Sequence, residues 1–440
     1  MAYEKATSIP DVDLENASNP ELKEEGQAPP PDESNVEVEA PEGGTKAWLS
    51  LLGAFCAMFV SFGWVNCIAL FQTEYESNEL KQYSKSAVSW ITSLEAFFML
   101  FASPVAGWMF DNYGPRLPVF IGTILHVLGL MMASLSKEFY QFALSQSVCS
   151  GIGTSFIFTP SMTAPMTYFE KRRAIAGGLT TTGSALGGVI FPFIAIHLIP
   201  KAGFPWAMRA CAFLILFLLI ITNLTISSNL EHRKKPFKIS NFVHPMRELN
   251  FVIISLASFC LYWAMFIPFD YIASAAIRYG MSSTNAFNLI PILNGASFFG
   301  RTVPNLLADK YGRFNVMVTM VLFNLIIVLA IWLPGRSDAT SIVYAVLFGF
   351  GSGGCIGLAP VLIMQISPIN EVGYRMGTIF AVSAVASLTS PPIGGAIVEA
   401  TNGGVYDYAA VFSGVNFALA LCLCAWLRAR VVGRKIAIKG

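Results

Sequence analysis

Charge is scarce in this chain. Only 12% of its 440 residues are charged, about half the share found in soluble globular proteins. Histidine occurs four times and the net charge is +1. That balance excludes the basic footprint of a nucleic-acid binder. Acidic residues are scarcer still beyond the start. Residues 1–46 hold 12 of the 27, leaving 15 for the other 394 positions. Catalytic motifs are missing too: no P-loop, Gly-x-Ser-x-Gly or His-Glu-x-x-His appears. Gly349-x-Gly351-x-x-Gly354 matches the dinucleotide fingerprint by letters but lies inside an apolar run with no strand before it. The eight cysteines form no Cys-x-x-Cys or Cys/His ligand spacing, so neither a metal nor a cofactor is implied. They read as small buried packing residues.

Apolar residues supply 54% of the chain, including 35 Phe, and the mean hydropathy is +0.58. One water-soluble core cannot hide that much apolar surface. The composition therefore implies a polytopic membrane protein. Twelve segments are long and apolar enough to span a bilayer: 47–71, 87–110, 116–136, 139–167, 172–199, 205–228, 249–273, 284–308, 314–334, 340–367, 374–399 and 405–428. Residues 1–46, acidic and holding six Pro, read as a disordered arm. Segments 47–228 and 249–428 form two six-helix bundles, joined by a basic linker, 229–248, and followed by a tail, 429–440. Placing both termini inside puts twenty Lys and Arg on the inner side and six outside. That bias sets both ends in the cytoplasm, of the plasma membrane by expectation.

The halves repeat. At a spacing of 200, Gly151 matches Gly351, Gly153 matches Gly353, Pro160 matches Pro360, Gly177 matches Gly377 and Pro192 matches Pro392. Repeated six-helix units with Gly and Pro at corresponding places mark secondary transporters. "GWMFDNYGPR" (107–116) and "GRTVPNLLADKYGR" (300–313) then resemble the signature of the major facilitator superfamily. "PEGGTKAW" (41–48) and "YFEKRRAIAGGLTTTGSALGG" (168–188) resemble its monocarboxylate porter family, in particular the fungal branch. The resemblance implies an all-α fold of two pseudosymmetric bundles. It also implies alternating access around a cavity lined by spans one, two, four, five, seven, eight, ten and eleven.

Asp111 and Asp309 end spans two and eight, where a carboxylate can accept the N–H groups of a helix start and pair with Arg. The resemblance makes spans eleven and five the partners. That gives latches of Asp111 with Arg375, and of Asp309 with Arg172 or Arg173, with Arg116 and Arg313 closing the two motifs. Gly183, Gly187 and Gly188 put small residues on span five, suited to close helix packing, either as a sliding contact between halves or as tight static packing. Arg301 lies eight residues before Asp309, about 12 Å along a helix and near mid-membrane. A buried charge there is costly and marks function. The family resemblance assigns it to a substrate carboxylate. Glu95, buried in span two, is the candidate proton carrier. His126 reads as a packed histidine. Asn66, Asn294, Thr181 and Tyr262 are candidate polar contacts, and Tyr262, Trp263 and Phe266 form an aromatic wall. Asn66 and Ser297 stand where animal members of the family carry a Lys and an Asp, so two of three coupling charges are missing. The expected activity is therefore transport of a carboxylate-bearing small molecule, with a proton as the candidate coupling ion and export of a specialised metabolite favoured. Import of a monocarboxylate or vitamin-like nutrient is the alternative, and a nutrient sensor a remote one.

Overall fold

The computed structural model describes residues 40–433, apart from 233, 235 and 402–404. Most of the acidic arm, Arg233, Lys235 and the residues from 434 onward lie outside the described residues. Among the described residues there is helix and no strand. That is what a bilayer demands of a chain that satisfies its own backbone segment by segment.

Ten helices are long and apolar enough to cross a membrane. Numbering the spans in chain order, these are one (Thr45–Val65), two (Ala87–Tyr113), three (Arg116–Ala133), five (Arg173–Ala202), six (Phe204–Thr225), seven (Leu249–Arg278), nine (Arg313–Trp332), ten (Asp338–Gln365), eleven (Ile369–Glu399) and twelve (Asp407–Val431). The other two expected spans are helical as well. Span four runs over 139–163, with π-helical turns at Ala143–Ser150. Span eight, Ser283–Tyr311, is long enough but carries Arg301 and several Asn and Ser in place of apolar residues.

The helices obey local rules. Ser84, Ser282 and Ser337 cap spans two, eight and ten, each accepting a backbone N–H three residues on. Gly114 and Gly312 end spans two and eight at φ 77° and 98°, a region an L side chain resists. That explains the glycine of each Asp-x-x-Gly motif. Span one departs from expectation: it is not continuous to 71. It stops at Val60 and restarts as the short helix Phe62–Val65. Ser61 Oγ donates back to the Ala57 carbonyl at 2.7 Å, a bond that bends helices.

Phe193, Phe213, Phe217, Leu224 and Phe299 are each more than half exposed. A belt of large apolar side chains suits acyl chains, not water. Cys422 is exposed as well, correcting the expectation that all eight cysteines are buried; Cys149 and Cys260 are partly covered.

Both described ends lie at one face, called here the terminal face. Arg428 reaches Asn315 at the start of span nine, and Arg430 reaches Asn250 at the start of span seven. Glu42 is already ordered there. Its carboxylate accepts from the Glu170 and Lys171 amides at 2.7 and 2.5 Å, while Trp48 packs edge-on against Phe169. The "PEGGTKAW" and "YFEKRR" stretches thus touch each other.

Candidate functional site

Two carboxylates join the bundles at the terminal face. Asp111 accepts from the Gly373 and Tyr374 amides at 2.9 and 2.8 Å, at the start of span eleven. Asp309 accepts from the Ala174 and Ile175 amides at 3.1 and 2.9 Å, at the start of span five. Each anion meets a helix N-terminus, where exposed N–H groups and the helix dipole favour it.

The arginine partners differ from expectation. Arg375 turns away from Asp111 and pairs with Glu248 at 2.5 Å and with Glu371 at 3.1 Å. Two carboxylates satisfy its fork, whereas Asp111 is already engaged by backbone. Asp309 pairs with Arg313, one turn on, at 3.1 Å. Arg173 donates instead to the Phe169 carbonyl, and Arg172 is the exposed N-cap of span five. Arg116 donates to the Ile226 carbonyl at 3.4 Å, tying span three to the end of span six.

Small residues bring the halves together above these anchors. A Cβ on Gly107 or Gly373 would collide with the other helix's backbone, and one on Gly178 would collide with the Arg301 carbonyl. The stripe on span five divides. Gly183 and Gly187 face Phe55 and Phe59 on span one, inside the same bundle, so they do not form a contact between halves. Gly188 alone faces the other half, at Asn294. Successive helical residues are about 100° apart, so neighbouring glycines serve different neighbours.

The repeat register also needs correction. Asp111 and Asp309 are equivalent at a spacing of 198. At 198, Gly151 against span two matches Gly349 against span eight, and Gly153 against span three matches Gly351 against span nine. A spacing of 200 pairs glycines on different helix faces.

Arg301 lies between the bundles, 1% exposed. Its Nη1 donates to the Thr181 carbonyl at 2.6 Å and also to Ser184 Oγ, both on span five. Its Nε donates to Ser297 at 3.2 Å. Its Nη2 donates to no described residue. Phe62 lies 6.0 Å from the guanidinium, within cation–π range. Phe62 stacks on Phe158, which packs against Phe380 of span eleven, and Tyr262 packs against Phe266. Arg301 therefore lies beside a set of aromatic rings drawn from both halves.

The other expected contacts are engaged locally. Asn66 donates to the Ser184 carbonyl at 3.3 Å, Asn294 to Ile290 in its own helix, and Thr181 Oγ1 to Gly178. Thr181 reaches Arg301 through its carbonyl, not its hydroxyl. Tyr262 is buried without a hydrogen bond among the described residues. Glu95 is wholly buried within the N-terminal bundle, accepting from Trp64, Gln146 and Ser150. Sequence reasoning missed Glu248, Phe62, Ser184 and Glu42. Nothing in local spacing points to Glu248, because its partner lies 127 residues away.

At the linker, His232 packs on Phe110, and its Nδ1 donates to the Asp111 carbonyl at 3.2 Å. Burial pushes its pKa below the usual histidine value, against the opposing effect of that bond. Among the described residues, Nε2 is buried without a partner. The hydrogen bonds from Arg375 hold the Glu248 carboxyl below its usual range.

The profile of the Major Facilitator Superfamily matches residues 51–364 and 305–439. The MFS-type transporter opdF of Penicillium oxalicum is 57% identical, across 96% of this chain and 98% of its own length. The fujikurins efflux protein of Gibberella fujikuroi is 41% identical, across 94% of this chain and 90% of its own. The transporter FucP, solved in the outward conformation, overlays with a TM-score of 0.70 at 14% identity, covering 86% of this chain and 98% of that one. At that identity the likeness concerns the fold.

Proposed function

The chain belongs to the Major Facilitator Superfamily, and from that premise we propose that it exports a planar, carboxylate-bearing metabolite by alternating access. Its fold and family are those of multi-pass membrane transporters, not of enzymes. The observation that carries the substrate class is Arg301. It is a buried guanidinium between the bundles, beside aromatic rings, with Nη2 bonded to no described residue and Nη1 held by a backbone carbonyl of the other half. A carboxylate can take both terminal nitrogens in a fork, which a carbonyl cannot do. Substrate binding then releases Thr181 and loosens the seam between spans five and eight.

Export is favoured by the relative named as an efflux protein, and the aromatic surroundings suit a flat molecule. In this reading the terminal face is cytoplasmic, the membrane is the plasma membrane, and Asp111 and Asp309 latch that face in the outward-facing state. Residues 229–248 link the two bundles, Glu95 carries a coupling proton, and the chain falls in the fungal branch of the monocarboxylate porter family that its sequence resembles.

Accumulation in inside-out vesicles tests the proposal, with a panel of planar aromatic carboxylates and an imposed pH gradient. Gradient-dependent accumulation of at least one acid is expected. Equal accumulation with and without the protein across the panel, in vesicles shown to contain folded protein, contradicts it.

A further inference from the structure

The surroundings of Glu95 allow its hydrogens to be counted. No lysine or arginine pairs with it among the described residues. Trp64 Nε1 donates to one carboxylate oxygen and Gln146 Nε2 to the other, each at 2.8 Å. Ser150 Oγ lies 3.2 Å from Glu95 Oε1 and 2.8 Å from His126 Nδ1. His126 Nε2 lies 3.1 Å from the Val60 carbonyl. Glu95, Ser150 and His126 are all fully buried.

A carbonyl only accepts, so His126 Nε2 carries a hydrogen. Ser150 has one hydroxyl hydrogen and two neighbours that need it. With Glu95 ionised and His126 neutral, one of the two contacts has no hydrogen, in a site closed to water, where an unmade bond is costly. One added proton completes the row in either of two ways. Glu95 holds it and donates to Ser150, which donates to Nδ1. Alternatively, Nδ1 holds it and donates to Ser150, which donates to Glu95. The two forms interconvert when one hydrogen passes from Glu95 to Ser150 and another from Ser150 to His126. No bond other than O–H and N–H changes.

The row also grips the break in span one from both sides. His126 holds the carbonyl of Val60, the last residue before the break. Glu95 holds the indole of Trp64, inside the four-residue helix Phe62–Val65. Phe62, the first residue of that helix, is the ring beside Arg301. Trp64 and Phe62 are two residues apart on one short rigid piece, so a shift of one displaces the other.

We infer that Glu95, Ser150 and His126 form a store for one proton, and that its occupancy is transmitted to the Arg301 site through Trp64 and Phe62. This rests on the transport reading above and adds a regulatory input to that same site. The other titratable groups facing the row are Tyr75, whose hydroxyl donates to Gln146 at 2.5 Å, and the thiol of Cys67, with Cys211 beyond Cys67 and Glu79 beyond Tyr75. Phenols and thiols ordinarily titrate above about pH 8.

The test uses the full chain in lipid nanodiscs and needs no transported compound. Infrared pH-difference spectra report the protonated carboxyl of Glu95, and fluorine NMR of 4-fluorophenylalanine at position 62 reports the ring. Between about pH 5 and about pH 8, a carboxyl band that disappears in Glu95→Gln is expected, together with a fluorine shift that titrates alongside it. Ser150→Ala, which cuts the row, should displace the midpoint of the band by about one pH unit. Trp64→Phe should keep the band and lose the fluorine titration. A midpoint unmoved by Ser150→Ala would show Glu95 titrating alone and overturn the shared store. A fluorine signal that ignores pH, or still titrates in Glu95→Gln, would overturn the transmission. Neither result depends on vesicle flux, so failure of the export reading is separately visible.

Discussion

Arg301, on the C-terminal bundle, donates to the backbone carbonyl of Thr181 on the N-terminal bundle at 2.6 Å. The residue proposed to hold a substrate anion therefore also makes a bond across the seam between halves. In that proposal, binding at Arg301 and separation of spans five and eight become one event, because the same nitrogen serves both. Replacing Arg301 by Gln should remove substrate binding and also weaken the seam. A charged hydrogen bond contributes about 1.5–3 kcal/mol, so spin-label distances between spans five and eight should broaden even with no substrate present. Unchanged distances would show that the bond does not hold the seam.

The two capping carboxylates should act alike. Asp309→Asn removes the charge facing the start of span five but keeps an acceptor. The expected cost is about 1–2 kcal/mol, enough to shift the balance away from closure at the terminal face by about tenfold. Labelling of a cysteine placed at the start of span five should accelerate accordingly, and Asp111→Asn should do the same at span eleven. A rate unchanged in both would remove the latch role.

Close approach makes a sharper contrast. Gly107→Leu places a side chain where the Gly373 carbonyl lies, whereas Gly295 has open space around its Cβ position. Gly107→Leu should abolish turnover while leaving a monodisperse protein, and Gly295→Ala should be tolerated. Equal activity in the two variants would contradict the packing described.

His232 supplies a pH prediction outside the membrane. Its pKa is lowered on folding by burial, and a proton on Nε2 would have no acceptor among the described residues. The unfolded or undocked linker then binds more protons below the ordinary value of about 6.5. Docking is fully favourable above that value and weakens as pH falls through it toward the folded pKa. Hydrogen exchange over 230–243, corrected for intrinsic pH dependence, should rise between about pH 7 and about pH 5 in wild type. It should stay flat in His232→Gln. Glu248 works in the same direction. Its carboxyl is held low by Arg375, so that stabilisation is present at neutral pH and lost under stronger acid, as pH falls through the lowered pKa. A linker that protects equally at both pH values would contradict the docking of His232.

Much of the fold was legible because bilayer length and apolar runs are properties of single segments. The helical stretches, the six-and-six division of spans and the Asp-x-x-Gly motifs could all be found without tertiary information. The contacts of the site were less legible. Arg375 and Glu248 meet because span seven, whose N-cap is Glu248, packs along span eleven. The division of Gly183, Gly187 and Gly188 between two neighbours depends on helix rotation, which the spacing alone did not resolve. The 200-residue glycine matches lie one or two residues away from the structural register, which is 198 at Asp111 and Asp309 and 199 at the starts of spans five and eleven. His126 looked like an isolated packed histidine, since its partners Ser150 and Val60 come from different spans. The break at Ser61 had no proline to announce it, and Gly63, two residues on, did not by itself mark it.

The most direct test of the central claim compares one planar aromatic carboxylic acid with its methyl ester in inside-out vesicles. The two share shape and rings but differ in the group that Arg301 is held to bind. Wild type should accumulate the acid at least about tenfold over the ester, the ratio that loss of a charged hydrogen bond gives, and Arg301→Gln should accumulate neither preferentially. Equal transport of acid and ester by wild type would contradict the anion site at Arg301.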